Sequence, residues 1–167
     1  LFGTVGTGNT ISVTGVVSGT GLINGGSGST QSTFIYSGTA AQTVAMDSPM
    51  SITYGNVEIS NTSGVDTDDS FTSSNLNGNF TVSSGGIFNQ SGTTHTFDGN
   101  VTNAGTWNAD AAIDVNGDFS NSGTFTSTGC DINLAGDWDN TGTYSANSSD
   151  TVQLDGSALQ EITGTTT

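Results

Sequence analysis

Every second residue from Ile113 is apolar, glycine or an amide: Ile113, Val115, Gly117, Phe119, Asn121, Gly123, Phe125. The same holds for Ile132, Leu134, Gly136, Trp138, Asn140, Gly142, Tyr144, and, after an opening histidine, for His95, Phe97, Gly99, Val101, Asn103, Gly105, Trp107. The skipped positions are Asp, Ser, Thr, Asn and Ala. A period of two predicts β-strands with one buried face. Glycines inside such a run mark bends. Short strands, each followed by a bend and each set stacked on the last, make an all-β fold: a parallel β-solenoid, or β-helix.

Glycines at 15, 38, 78, 99, 117, 136 and 156 recur at spacings of 23, 40, 21, 18, 19 and 20. The gap of 40 spans two periods, with a weaker copy between Tyr54 and Gly64. This predicts about eight coils of roughly 20 residues in one solenoid domain, 1–167. The segment Gly78–Phe88 carries two extra residues, so its corner should bulge while Phe80, Val82 and Phe88 stay inward. A longer recurrence relates Thr33–Val44 to Thr151–Ile162, an offset of 118. The second copy ends soon after in Thr-Gly-Thr-Thr-Thr, without a capping element. Open strand edges recruit further strands, so the chain is expected either to belong to a longer array or to self-associate end to end.

Asn103, Asn121 and Asn140 fall four residues after their glycines, on the inward face, and Gln42 and Gln160 follow Gly38 and Gly156 by the same interval. Stacked strands lie about 4.8 Å apart. Amides in register therefore predict a structural ladder of side chains bonding from coil to coil. An isolated buried amide would cost about 1–3 kcal/mol. By the same register Phe119 and Trp138 stack above Val101, and Trp107, Phe125 and Tyr144 form a second aromatic column.

Composition narrows the function classes. The chain has 25 glycines, no lysine or arginine, fifteen acidic residues and a formal net charge of −15. Nothing in it can displace counterions from a phosphate backbone, so nucleic acid is not an expected partner; anionic membranes are disfavoured for the same reason. No apolar run approaches the roughly 18 residues of a span, so membrane insertion is not expected. Cys130 is the single cysteine, which rules out an internal disulfide framework. The sequence opens on Leu1-Phe2-Gly3 without a visible signal peptide, as expected for a mature product or a piece of a longer chain. With no lysine or arginine it also offers trypsin-like proteases no cleavage site, in keeping with an extracellular setting.

The stretch from Gly136, Gly-Asp-Trp-Asp-Asn-Thr-Gly-Thr-Tyr, and the stretch Tyr36–Val44, Tyr-Ser-Gly-Thr-Ala-Ala-Gln-Thr-Val, resemble repeats of large secreted and cell-surface proteins of Bacteroidetes-type bacteria. In those repeats a Gly-Asn/Asp-aromatic, Asn-x-Gly-Thr-aromatic unit precedes Gly-Thr-Ala-x-Gln-x-Ile. The resemblance covers most of residues 33–167. It implies an extracellular β-rich stalk or adhesin segment, with a cell-surface or glycan partner. The sorting domain usual at the end of such proteins and their usual lysines are not in this sequence.

Candidate chemistry is sparse. Lyases built on β-helices use a lysine or arginine base, which this chain lacks, and hydrolases need paired carboxylates across a cleft. Asp137 and Asp139 instead point the same way from a flat strand, so the chain is not expected to be an enzyme. His95 shares an inward column with Ile113, Ile132 and Val152 and, with no second histidine or partner cysteine, reads as a satisfied half-buried residue in place of a catalyst or ligand. Calcium is the one ligand the acidic pattern suggests, on Asp118 and Asp137, one residue after consecutive glycines, with Asp139, Asp66 and Asp68 as further candidates. No cofactor motif accompanies them. Two rival readings are a carbohydrate-binding or carbohydrate-cleaving module, and an ice-binding protein presenting the outward row Thr106, Thr124, Thr143. The expectation is a non-enzymatic, secreted structural rod, either a stalk or adhesin repeat or a head-to-tail filament subunit.

Overall fold

The structure is a computed structural model that describes residues 3–4, 8–17, 21–26, 31–44, 50–67, 71–72 and 75–165. Among them are twenty-one short strands, numbered in chain order, and no helix. One face of the solenoid is a continuous eight-stranded parallel sheet. It runs through β2 (Thr10–Val13), β4 (Thr33–Tyr36), β7 (Asn56–Ile59), β9 (Phe80–Val82), β12 (Val101–Asn103), β15 (Phe119–Asn121), β18 (Trp138–Asn140) and β21 (Ile162–Gly164).

The second face stacks β5 (Gln42–Thr43), β8 (Val65–Asp66), β10 (Ile87–Gln90), β13 (Thr106–Ala109), β16 (Thr124–Ser127) and β19 (Thr143–Ser145). The third begins with β1 (Gly3–Thr4), β3 (Gly21–Asn24) and β6 (Met50–Thr53) and passes a single bridge, Tyr54 to Leu76. It resumes in β11 (His95–Phe97), β14 (Ile113–Val115), β17 (Ile132–Leu134) and β20 (Val152–Leu154). Every pairing is parallel, as coil-on-coil stacking requires.

Register along the first face defines seven turns of 18 to 24 residues. That is one fewer than the glycine spacing predicts. The reason is that the glycine series mixes two corners: Gly15 and Gly38 follow first-face strands, whereas Gly78, Gly99, Gly117 and Gly136 precede them. Both corners need glycine for the same physical cause. A Cβ on Gly123 or Gly142 would overlap the carbonyl of the glycine one coil below, and one on Gly99 would lie 2.6 Å from Gly78 O. Close backbone approach selects glycine without fixing which corner it occupies.

Inside, the alternation is realised strand by strand. In β4, β7 and β10 every second residue is buried. Phe80, Val82 and Phe88 are all fully buried, while the corner between them bulges through Gly85 at φ 82°. The rings of Phe71, Phe80, Phe88, Phe97, Trp107, Phe119 and Phe125 pack as one chain with centroid separations of 4.8–6.0 Å. Each fully buried ring is worth about 1.5–3 kcal/mol over exposure. An apolar fraction of only 31% therefore suffices, because it is concentrated on the inward face.

Candidate functional surfaces

The asparagine ladder is set by register. Asn103, Asn121 and Asn140 are paired in successive first-face strands. Asn103 Nδ2 donates to Asn121 Oδ1 at 2.8 Å and to Thr124 O at 2.9 Å. Asn121 Nδ2 repeats the pattern with Asn140 Oδ1 at 2.7 Å and Thr143 O at 3.0 Å. Each amide thus joins two side chains and also ties down the corner of the next coil.

Gln42 and Gln160 stand outside this column and do different work. Gln42 lies in β5, opposite Val65 on the second face. Its Oε1 accepts from Gly38 N–H at 2.8 Å, and its Nε2 donates to the carbonyls of Val13 and Gly15 in the coil below. Gln160 reproduces the arrangement with Gly156 N–H and with the carbonyls of Leu134 and Gly136. Each glutamine folds back over its own loop to the N–H of the glycine four residues before it. The 118-residue recurrence is therefore a corner motif placed at two different corners, between the first and second faces at Gly38 and between the third and first at Gly156.

The aromatic columns follow the predicted register: Val101, Phe119 and Trp138 are successive partners, as are Trp107, Phe125 and Tyr144. Phe119 stacks on Trp138 at 4.8 Å and Phe125 on Tyr144 at 5.3 Å, both nearly parallel. Trp107 Nε1 donates to Gln90 Oε1 at 3.0 Å. Tyr36 and Tyr54 share a buried hydroxyl contact of 2.6 Å; burial, with Tyr36 alongside, holds the Tyr54 phenol well above its ordinary range.

Four of the five aspartates with calcium potential lie among the described residues. Asp118 and Asp137 sit at the corner before the first face, Asp139 projects from β18, and Asp66 projects from β8 on the second face. Asp68 lies outside the described residues. Among the described residues no three His, Cys, Asp or Glu side chains come together as a metal-binding group.

Asp118 and Asp137 belong to an outer ladder in which each side-chain oxygen accepts a backbone N–H from the next coil. Asn56 Oδ1 takes Asn79 N–H, Asn79 takes Asn100, and Asn100 takes Asp118, at 2.9–3.0 Å. Asp118 Oδ1 takes Asp137 N–H at 3.0 Å, and Asp137 takes Glu161 at 2.8 Å. The sequence shows these positions aligned but not this role. Its signal is that Asn and Asp interchange there, since the bond needs only an acceptor oxygen on a short side chain.

His95 is buried in the column with Ile113, Ile132 and Val152, its ring beside Phe71 and its Nδ1 3.0 Å from Thr93 O. Cys130 is buried, and burial, with Asp150, Asp131 and Asp110 adding, pushes its thiol up to about 12. A thiol so shifted is a weak nucleophile at neutral pH. The Asp150 carboxyl is held below its ordinary range by the Ser127 hydroxyl at 2.5 Å and by backbone N–H groups.

Three outer surfaces remain. On the second face Thr106, Thr124 and Thr143 align in one row, which ends where Ile87 takes the next place. A shallow groove of about 260 Å³ beside it is lined by polar side chains including Asp66, Asn89, Asn108 and Asp110. Among the described residues no aromatic ring is exposed to serve as a sugar-stacking platform. The third surface lies above β19, β20 and β21, each the last described strand of its sheet. There Ile162 is 70% exposed and Val152 41% exposed. Among the described residues no helix is long and apolar enough to cross a membrane. Compared with protein-family models, with curated proteins and with solved structures, the chain matches none.

Proposed function

We propose that this chain is a non-enzymatic structural element of a secreted or cell-surface protein, a stiff rod acting as a stalk or adhesin segment. The carrying observation is the double side-chain lacing of consecutive coils, Asn103–Asn121–Asn140 within and Asn56 to Glu161 without. Such lacing resists separation of coils along the axis, which is the load a stalk bears. Seven turns at about 4.8 Å make a rod roughly 34 Å long. The absence of lysine and arginine and the resemblance to surface-protein repeats support the extracellular setting.

The test is single-molecule extension of the chain tethered at its two ends. A laced rod gives up its coils in steps, each lengthening the tether by about 60–80 Å, the reach of one extended coil. Release of the whole length in one event at low force would overturn the mechanical reading.

A further inference from the structure

We propose that the groove beside the threonine row on the second face binds a sugar that carries an ammonium group, an amino sugar of one or two units. The inference goes beyond the rod reading and does not depend on it.

The groove forms where the second face gives way to the next corner. Strands β10, β13 and β16 end at Gln90, Ala109 and Ser127. Outward side chains on either side of that bend line one hollow of about 260 Å³. Asn89, Asn108 and Thr126 stand in register on successive coils and form one wall. Ser91, Asp110 and Thr128, each two residues further on, form the other.

The direction of the hydrogen bonds in the first wall sets what the groove wants. Asn108 Nδ2 donates to Asn89 Oδ1 at 2.8 Å, and Asn89 Nδ2 donates to Asp66 Oδ1 at 2.7 Å. The file therefore ends at Asn108 in an acceptor, its Oδ1. Neither that oxygen nor the Asp110 carboxylate takes a hydrogen bond from another described residue. Two residues separate Asn108 from Asp110, about 6–7 Å of strand. One ammonium group donating to both spans that gap with bonds of about 2.8 Å.

Charge selects the same ligand. The chain has no lysine or arginine and carries −15, so the cation must come from outside and acidic sugars are repelled. Among the described residues no third acidic or imidazole group joins Asp66 and Asp110, which leaves a hard divalent cation short of ligands. An ammonium needs only acceptors. The remaining groups suit hydroxyls. Asn89 keeps a second N–H, Asp66 keeps its other oxygen, and Thr126 and Thr128 bring hydroxyls that both donate and accept. The volume lies just under the usual range of about 300–1,000 Å³ for small-molecule sites, which limits the ligand to a short piece.

The experiment is a nuclear magnetic resonance titration of the 167-residue chain with a glucosamine dimer, near pH 6 and about 0.15 M salt, where the amine is protonated and the carboxylates are ionised. The expected result is backbone amide shifts concentrated at Asn89, Ser91, Asn108, Asp110 and Thr128. Asp110→Asn should raise the dissociation constant about tenfold with an unchanged circular dichroism spectrum, because Asp110 is exposed. Asp139→Asn, on the first face, should leave it unchanged. The N-acetylated dimer should not bind, and propylamine should bind more weakly than the glucosamine dimer. No shift at about 10 mM dimer, ten times the roughly 1 mM constant expected of a few charge-assisted contacts, overturns the proposal. Equal binding of the N-acetylated dimer or of propylamine overturns it too, as does equal weakening by Asp110→Asn and Asp139→Asn. Binding of the dimer by a chain that extends in a single event would leave this site standing without the rod reading.

Discussion

Asn121 accepts from Asn103 and donates to Asn140 and Thr143, all from a buried position. Replacing it with alanine leaves the Thr143 carbonyl and one Asn103 donor bond unmade. The expected loss is about 2–4 kcal/mol, read from urea unfolding; a loss under 0.5 kcal/mol would mean that water replaces the amide. Glycine positions separate by environment in the same way. A Cβ at Gly123 would overlap the Gly105 carbonyl, while one at Gly129 meets open space at φ 73°. Gly123→Ala should cost about 3 kcal/mol or more and Gly129→Ala only about 1 kcal/mol. Equal costs would show that the coil spacing yields.

Between elements, the third face stacks outward residues as closely as inward ones. Asp114 on β14 lies between Thr96 and Asn133, and its carboxyl is raised first by burial and then by Asp155 and Asp98. A raised value in the folded chain means that folding favours the protonated acid. The contribution is therefore complete below the unfolded carboxylate value and is lost as pH rises through the folded one. Asp114→Asn should raise Tm at pH 7 and change it little near pH 3; an equal change at both would remove the electrostatic cause. The alternation made this column visible in the sequence, since period two says which residues face out together. The glutamine loops were hidden from it, because spacing after a glycine cannot say whether an amide reaches up its column or folds back on its own turn.

As a whole, the molecule carries −15 with no basic side chain to offset it. Raising salt from 0.01 M to 1 M cuts the screening length from about 30 Å to about 3 Å, so self-repulsion falls and Tm should climb. Thermal melts across that range check this, and a flat or falling Tm would place the carboxylates too far apart to matter. Coils touch mainly their neighbours, with Gln31 Nε2 reaching past one coil to Asn77 O at 2.6 Å, so stability is close to a sum of adjacent terms.

The sequence by itself determined the strand content, the inward face and the pairing of the later coils, since period-two alternation and near-constant coil length leave one consistent stacking for Val101, Phe119 and Trp138. Only the tertiary structure decided which corner each glycine and glutamine occupies, how many turns the described residues complete, and that Asp118 and Asp137 accept backbone N–H groups from the following coil. Those outcomes depend on where one coil's backbone meets the next. That contact lies across about 20 residues of chain, and local pattern does not encode it.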